Sequence, residues 1–204
     1  MDKQFHWDQV YQTKEPHQVG WTQKYPEDSM KRIMSLDLPK DAPIIDIGGG
    51  DSDIPKLLLE EGFSDITVLD ISSSAIERAQ KKLGNDARKI NWVVSDIKEF
   101  KPPRSYVLWH DRAAFHFLIS PSEINSYINL LKSSASDYIV IGTFSDIGPN
   151  KCSGLPITQY DEQKMEETLA KANFTITESE RPVHITPSGG EQAYLFVTAT
   201  KEAL

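Results

Sequence analysis

The residues best placed to do chemistry are a glycine run and the carboxylates around it. Asp46-Ile47-Gly48-Gly49-Gly50-Asp51 follows the apolar pair Ile44-Ile45, and Asp70 closes the next apolar run, Ile66-Thr67-Val68-Leu69. Glycines let backbone approach a ligand closely, and a carboxylate about twenty residues further on suits hydrogen bonding to ribose hydroxyls. Asp96 stands after a third apolar run, Ile90–Val94, and His110-Asp111-Arg112 follows a fourth, Tyr106–Trp109. This pattern points to a nucleotide-type cofactor at the ligand edge of an open α/β sheet.

The charge of the glycine segment separates two cofactor classes. A pyrophosphate seated on the turn and the next helix N-terminus disfavours nearby anions, yet Asp46, Asp51 and Asp53 all lie there. The third glycine of G-x-G-x-x-G would fall at Asp53. A cofactor with a cationic amino-acid end, such as S-adenosylmethionine, tolerates these carboxylates better. An acidic glycine turn that caps a helix and binds nothing is the alternative.

At 204 residues the chain suits one α/β domain, with residues 1–40 as an N-terminal helical cap segment and 41–204 carrying the main domain. A net charge of −8 and a pI near 5.1 argue against a nucleic-acid partner. No apolar run of spanning length and no charged-then-apolar leader is visible, so a cytoplasmic protein without membrane contact is expected. The single cysteine, Cys152, rules out an internal disulfide and a multi-cysteine metal site, and no metal is expected.

Strand-helix alternation must position these groups. Phe5, Trp7, Val10 and Tyr11, then Met30, Ile33, Met34 and Leu36, suggest two short helices, with Trp21 and Tyr25 on the irregular stretch between. Strand 43–47 leads into a helix with Pro55 in its first turn and Gly62 at its stop. Strand 66–70 leads into a helix opened by a Ser74–Glu77 capping box and closed by Gly84. Strands 90–94 and 106–110 follow, then a helix opened by the Ser120-Pro121-Ser122-Glu123 box, then strand 138–143. After an irregular span 144–160 and a helix capped by Asp161, two consecutive strands, 174–185 and 192–200, flank the turn Pro187-Ser188-Gly189-Gly190 and predict an antiparallel hairpin.

With Asp46-x-Gly48-x-Gly50, Asp70 and Asp96 at successive strand ends, residues 43–200 resemble the class I S-adenosylmethionine-dependent methyltransferases. Trp7-x-x-x-Tyr11, Trp21, the segment His110–Leu118, Lys151–Pro156 and His184–Pro187 resemble a small bacterial subgroup of that family. The resemblance implies a Rossmann-like, seven-stranded, mostly parallel sheet with a C-terminal antiparallel hairpin and helices on both faces. It further implies S-adenosyl-L-methionine as cofactor. Asp46, Gly48, Gly49 and Gly50 would face its aminoacyl part, Asp70 would take the ribose, Ile71 would pack on adenine, and Asp96 with Ile97 would hold the adenine edge. Ser52 stands where that family usually has another glycine.

The implied activity is methyl transfer to a small-molecule acceptor, or to a protein side chain. A nicotinamide-dependent oxidoreductase and a non-catalytic cofactor-binding module are the rival readings. In-line transfer from an activated donor needs alignment and at most one base. Asp111 and His110, at the end of the fourth strand, are the candidate catalytic pair, although Asp111 could equally cap a short helix over 112–118. Arg112 could bind an acidic substrate or pair with Asp111. Trp21 is the better candidate for a lid whose π face favours a sulfonium, while Trp7 reads as a staple onto the sheet. His116 reads as core, and Cys152, Tyr160 and His184 could converge near the same mouth.

Overall fold

The computed structural model describes residues 2–202. Helix α1 (Lys3–Thr13), a 3-10 turn at Pro16–Gln18 and α2 (Glu27–Ser35) precede a repeating unit: β1 (Ile44–Ile47), α3 (Ile54–Glu60), β2 (Ile66–Asp70), α4 (Ser73–Leu83), β3 (Ile90–Val94). It continues through β4 (Tyr106–Arg112), α5 (Pro121–Ser134), β5 (Ala135–Phe144), a two-stranded flap of β6 (Lys151–Cys152) and β7 (Leu155–Pro156), and α6 (Glu162–Ala170). It closes with β8 (Phe174–Glu180), β9 (Val183–Ile185) and β10 (Glu191–Lys201).

The main sheet runs β3-β2-β1-β4-β5-β10-β8, with β9 also on β10. Strands β1 to β5 are mutually parallel, and β10 is antiparallel to both β5 and β8. The expected fold class therefore holds, with one correction: the sheet has eight strands rather than seven. The extra strand arises inside the expected 174–185 segment. β8 and β9 keep one register across the break, Glu180 opposite Phe196 and Val183 opposite Ala193. Pro182 lies in the gap; it has no N–H for the ladder, though its carbonyl still accepts from Tyr194 N at 2.9 Å.

Side-chain alternation sorts the core into two layers. Ile45, Ile47, Trp109, Ile139, Ile141, Leu195 and Val197 pack with Tyr127 and Leu131 of α5 and Met165 and Leu169 of α6. On the opposite face, Ile44, Ile66, Val68, Leu108 and Val140 pack with Met30 and Ile33 of α2, Ile54 and Leu58 of α3, and Ile76 of α4. Helix α2 is thus part of the sheet's covering layer. Its Arg32, 1% exposed, is fixed to the hairpin by Glu178 at 3.1 Å and Glu180 at 2.8 Å.

Three local expectations need adjustment. Helix α4 starts earlier than a Ser74–Glu77 box implies, because Ser72 is the N-cap and accepts from Ala75 N. The short helix expected over 112–118 is a continuation of β4 through Arg112 and a 3-10 turn at Phe115–Phe117. The span 144–160, expected to be irregular, holds the β6-β7 flap and a bridge between Ser145 and Tyr160. Among the described residues no helix is long and apolar enough to cross a membrane.

Candidate active site

The strand order reverses direction between β1 and β4, and the crevice beyond their carboxyl ends is where open α/β sheets bind ligands. One cavity opens there. It is lined by Asp46, Gly48, Gly49, Asp70, Ile71, Asp96, Ile97 and Trp21, all expected for the cofactor. Gly50, the remaining expected residue, backs this lining. Its φ of +35° suits glycine, and a Cβ there would stand 2.7 Å from Asp70 Oδ2 and 3.1 Å from the Tyr11 hydroxyl.

Asp46 and Asp70 are buried at the ends of β1 and β2. Asp46 Oδ1 lies 2.6 Å from His110 Nδ1, while its Oδ2, on the glycine side, has no hydrogen-bond partner among the described residues. An unpaired buried carboxylate oxygen beside a glycine cradle fits a cationic ammonium group. Asp70 Oδ1 accepts from Ser72 N at 2.8 Å. Burial pushes its carboxyl up to about 7, with Asp46 and Asp8 adding to the rise against the amides of Ser72 and Gly50.

The other two loop carboxylates are not free anions. Arg78 Nη2 lies 3.0 Å from Asp51, and Lys82 Nζ lies 2.7 Å from Asp53. The charge argument against a pyrophosphate therefore rests on Asp46 alone, because these pairs neutralise the rest. Strand order separates the classes better: an antiparallel β10 is inserted between β5 and β8, whereas a dinucleotide fold continues in parallel. At the third strand end, Asp96 Oδ1 accepts from Lys98 N at 2.9 Å. That is the local turn bond an aspartate makes with its own backbone.

The N-terminal segment covers the crevice. Lys3, Trp7, Val10, Tyr11, Lys14 and Trp21 line the cavity. Asp8 Oδ1 fastens α1 to the start of α4, accepting from Ser72 Oγ at 2.7 Å and Ser74 N at 3.1 Å. Gln12 donates to Ser74 Oγ at 2.9 Å, and Arg78 donates to the carbonyls of Tyr11 and Lys14. Trp7, read from sequence as a staple, meets Trp21 edge-on at 5.5 Å and Phe117 at 5.1 Å inside the cavity wall. It belongs to the same aromatic cover as Trp21.

The candidate catalytic pair is split by the sheet. Consecutive strand residues point to opposite faces, so His110 turns toward α2 and Asp111 toward α5. Asp111 is fully buried, takes the Tyr127 hydroxyl at 2.7 Å, and accepts from the amides of Ala114 and Phe115 at 3.0 Å each. It caps the turn that follows Ala113, whose φ is +64°, and it is not part of the cavity lining. The base role expected for Asp111 thus has no access to a substrate. His110 touches the cavity wall but has both nitrogens engaged, Nδ1 by Asp46 and Nε2 by Ser29 Oγ at 2.9 Å. It is a positioning residue for Asp46.

Of the further candidates, His116 is fully buried, receives Phe144 N at 3.3 Å on Nδ1, and is pushed down to about 3 by desolvation. Cys152 lines the cavity, with its thiol pushed up to about 12 by burial. His184 bonds the Gly20 carbonyl from Nε2 at 2.7 Å, and Tyr160 stacks on Phe115. No group of three or more His, Cys, Asp or Glu among the described residues could hold a metal ion. Ser29, Asp8 and Arg78 were missed from sequence. Only their partners in the folded chain give them a role, and no motif marks them.

Residues 44–134 match the family model described as a methyltransferase domain. The malonyl-[acyl-carrier protein] O-methyltransferase of Anoxybacillus flavithermus is 30% identical over 128 residues, covering 58% of this chain and 47% of that protein. Malonyl-[acyl-carrier protein] O-methyltransferase 1 of Ilyobacter polytropus is 32% identical over 76 residues, covering 37% of this chain and 28% of its own length. The chain therefore spans less than half the length of these curated relatives. A structure solved for the conversion of a disulfide bond into a thioacetal group during echinomycin biosynthesis superposes with a TM-score of 0.77 at 17% identity, covering 98% of this chain and 93% of that one. The 1,6-didemethyltoxoflavin-N1-methyltransferase of Burkholderia thailandensis, solved with S-adenosylhomocysteine, gives 0.69 at 19% identity, covering 98% and 84%. At these identities the structures establish the shared fold: the class I methyltransferase architecture.

Proposed function

We propose that this chain, a methyltransferase domain on a class I fold, moves a methyl group from S-adenosyl-L-methionine to a small-molecule acceptor. The observation that carries the reading is the pairing of Asp46, with its unpartnered Oδ2 at the glycine turn, and Asp70, buried one strand away, in a single cavity. The named activities of the relatives and of the Burkholderia protein support the same chemistry.

In this reading Asp46 Oδ2 takes the donor's ammonium group, and Gly48, Gly49 and Gly50 lie along the aminoacyl chain. Asp70 accepts from the ribose hydroxyls, Ile71 lies on the adenine face, and Asp96 with Ile97 holds the adenine edge. Of the N-terminal segment, residues 2–25 act as a cap, with Trp21, Trp7 and Tyr11 excluding water and presenting aromatic faces to the sulfonium, while α2 covers the sheet. The donor, when bound, supplies an electrophilic methyl group whose leaving group departs as a neutral thioether. The protein's share is then alignment of the acceptor and exclusion of water, since neither His110 nor Asp111 is placed to act as a base. Calorimetric titration with S-adenosylhomocysteine tests the reading: binding is expected, and Asp70→Ala should weaken it by about 1.5–3 kcal/mol, the worth of charge-assisted hydrogen bonds. Absence of binding at millimolar ligand overturns it.

A further inference from the structure

Arg112, the last residue of β4, lines the cavity, and its Nη2 donates to the Trp21 carbonyl at 2.7 Å. The chain holds 30 acidic residues against 22 basic ones, and its other inward or structured arginines use them. Arg32 meets Glu178 and Glu180, Arg78 meets Asp51, Arg104 meets Asp65, and Arg181 meets Asp146 and Glu162. Arg112 makes no such contact with any carboxylate of the described residues. Its pairing with Asp111, one option from sequence, is excluded by the opposite facing of neighbouring strand residues. Asp28 is the carboxylate that feels its field, from beyond ion-pair distance.

Apart from Asp28, the titratable groups that feel this guanidinium are held toward their neutral forms. His116, His184, Cys152 and Tyr194 all feel its charge, the two histidines are held down in pKa, and the thiol and phenol are held up. Tyr194, 1% exposed, lies beside Arg112 and behind the cavity lining. Trp21, Ala113, Phe117 and Ile157 pack against Phe144, Cys152, Tyr194 and Phe196 to make the adjoining wall apolar. A guanidinium at the cavity wall with no carboxylate within ion-pair distance keeps donors for an anionic ligand group.

Resting on the methyltransferase reading above, we infer that Arg112 holds a carboxylate on the methyl acceptor. Acceptors of this enzyme are then apolar molecules with one carboxylate. The planar fork of arginine matches a carboxylate in two-point contact. Arg112, with Asp28 already sharing its field, can balance at most one further negative charge, which favours a carboxylate over a phosphate dianion.

The test uses the full chain saturated with S-adenosylhomocysteine and matched probes: hexanoate, benzoate and indole-3-acetate, each against its amide, with phenyl phosphate as a further arm. Melting temperature and calorimetric affinity are read. At least one carboxylate should bind tenfold or more tightly than its amide. Arg112→Gln should remove that preference, and Arg112→Lys should keep part of it, while both variants still bind S-adenosylhomocysteine. Carboxylates that bind no better than amides, a preference that survives in Arg112→Gln, or phenyl phosphate binding tighter than benzoate each overturn the inference. Failure of the unmodified chain to bind S-adenosylhomocysteine overturns the methyltransferase reading itself, and this inference with it.

Discussion

His110 Nδ1 lies 2.6 Å from Asp46 Oδ1, and the same ring's Nε2 lies 2.9 Å from Ser29 Oγ, so one imidazole ties the cavity-lining Asp46 to helix α2. His110 and Asp46 are 1% and 2% exposed. The ring satisfies one carboxylate oxygen, and the other has no hydrogen-bond partner among the described residues.

Removing that ring leaves Asp46 buried with neither oxygen partnered. His110→Ala should therefore cost about 1.5–3 kcal/mol of stability, the worth of a hydrogen bond to a charged group. Ser29→Ala removes one neutral hydrogen bond and should cost about 1 kcal/mol. Urea denaturation of the two variants checks the ranking, and equal losses would show that the Asp46 contact carries no special weight.

The position of Asp70 predicts a pH dependence with a definite sign. In the folded, ligand-free chain its carboxyl is held up to about 7, chiefly by burial, and Asp111 is held up to about 6 for the same reason. Unfolded aspartates ionise near pH 3.9. Between these values the folded state keeps protons that the unfolded state has lost, so stability falls as pH rises from about 4 to about 7, by up to about 1.4 kcal/mol per pH unit for each group. Ribose hydroxyls donate best to the carboxylate, so affinity for S-adenosylhomocysteine should rise from pH 6 to pH 8. Asp70→Asn should bind more weakly, with a flat profile over that range. A wild-type profile that is flat as well would remove Asp70 from the ribose site.

Asp8 joins the N-terminal cover to the start of α4 through Ser72 and Ser74. Asp8→Ala loses a charge-assisted cap and should cost about 1–2 kcal/mol. Its larger effect should be kinetic: a faster dissociation of S-adenosylhomocysteine in stopped-flow chase, together with earlier proteolysis before residue 26. Unchanged dissociation would show that the segment does not gate the cavity.

Much of this architecture is legible in the chain because local rules and tertiary packing agree. A strand carrying Asp46 next to its end, a strand ending at Asp70, the Ser120–Glu123 capping box and the Gly62 stop all appear in the structure, since each is fixed by residues near in sequence. His110 and Asp111 show where that legibility fails. Position along the chain brings both to the mouth of the sheet, but the two-residue period of the strand sends them to different layers. The pairings of Asp51 with Arg78 and Asp53 with Lys82 link the loop to the next strand-helix unit, so no local pattern reveals them. Pro182 could have signalled the break between β8 and β9, because a proline inside a strand segment removes a ladder donor.

Gly49 offers the sharpest test of the cradle. A Cβ at this position would run into Asp46 Oδ2 and lie 2.9 Å from Val68 Cγ1. Asp46 is pinned by His110, and Val68 sits in the close-packed layer beneath β2, so neither neighbour can yield cheaply. Gly49→Ala should cost about 1–3 kcal/mol of stability, the usual range for overpacking. The added methyl also occupies the space beside the unpartnered Asp46 oxygen, the proposed ammonium site. Its effect on S-adenosylhomocysteine binding should therefore exceed that of Ser52→Gly, a substitution on the same loop that adds no atoms. Comparable affinities for the two variants would place the donor's aminoacyl end elsewhere in the cavity.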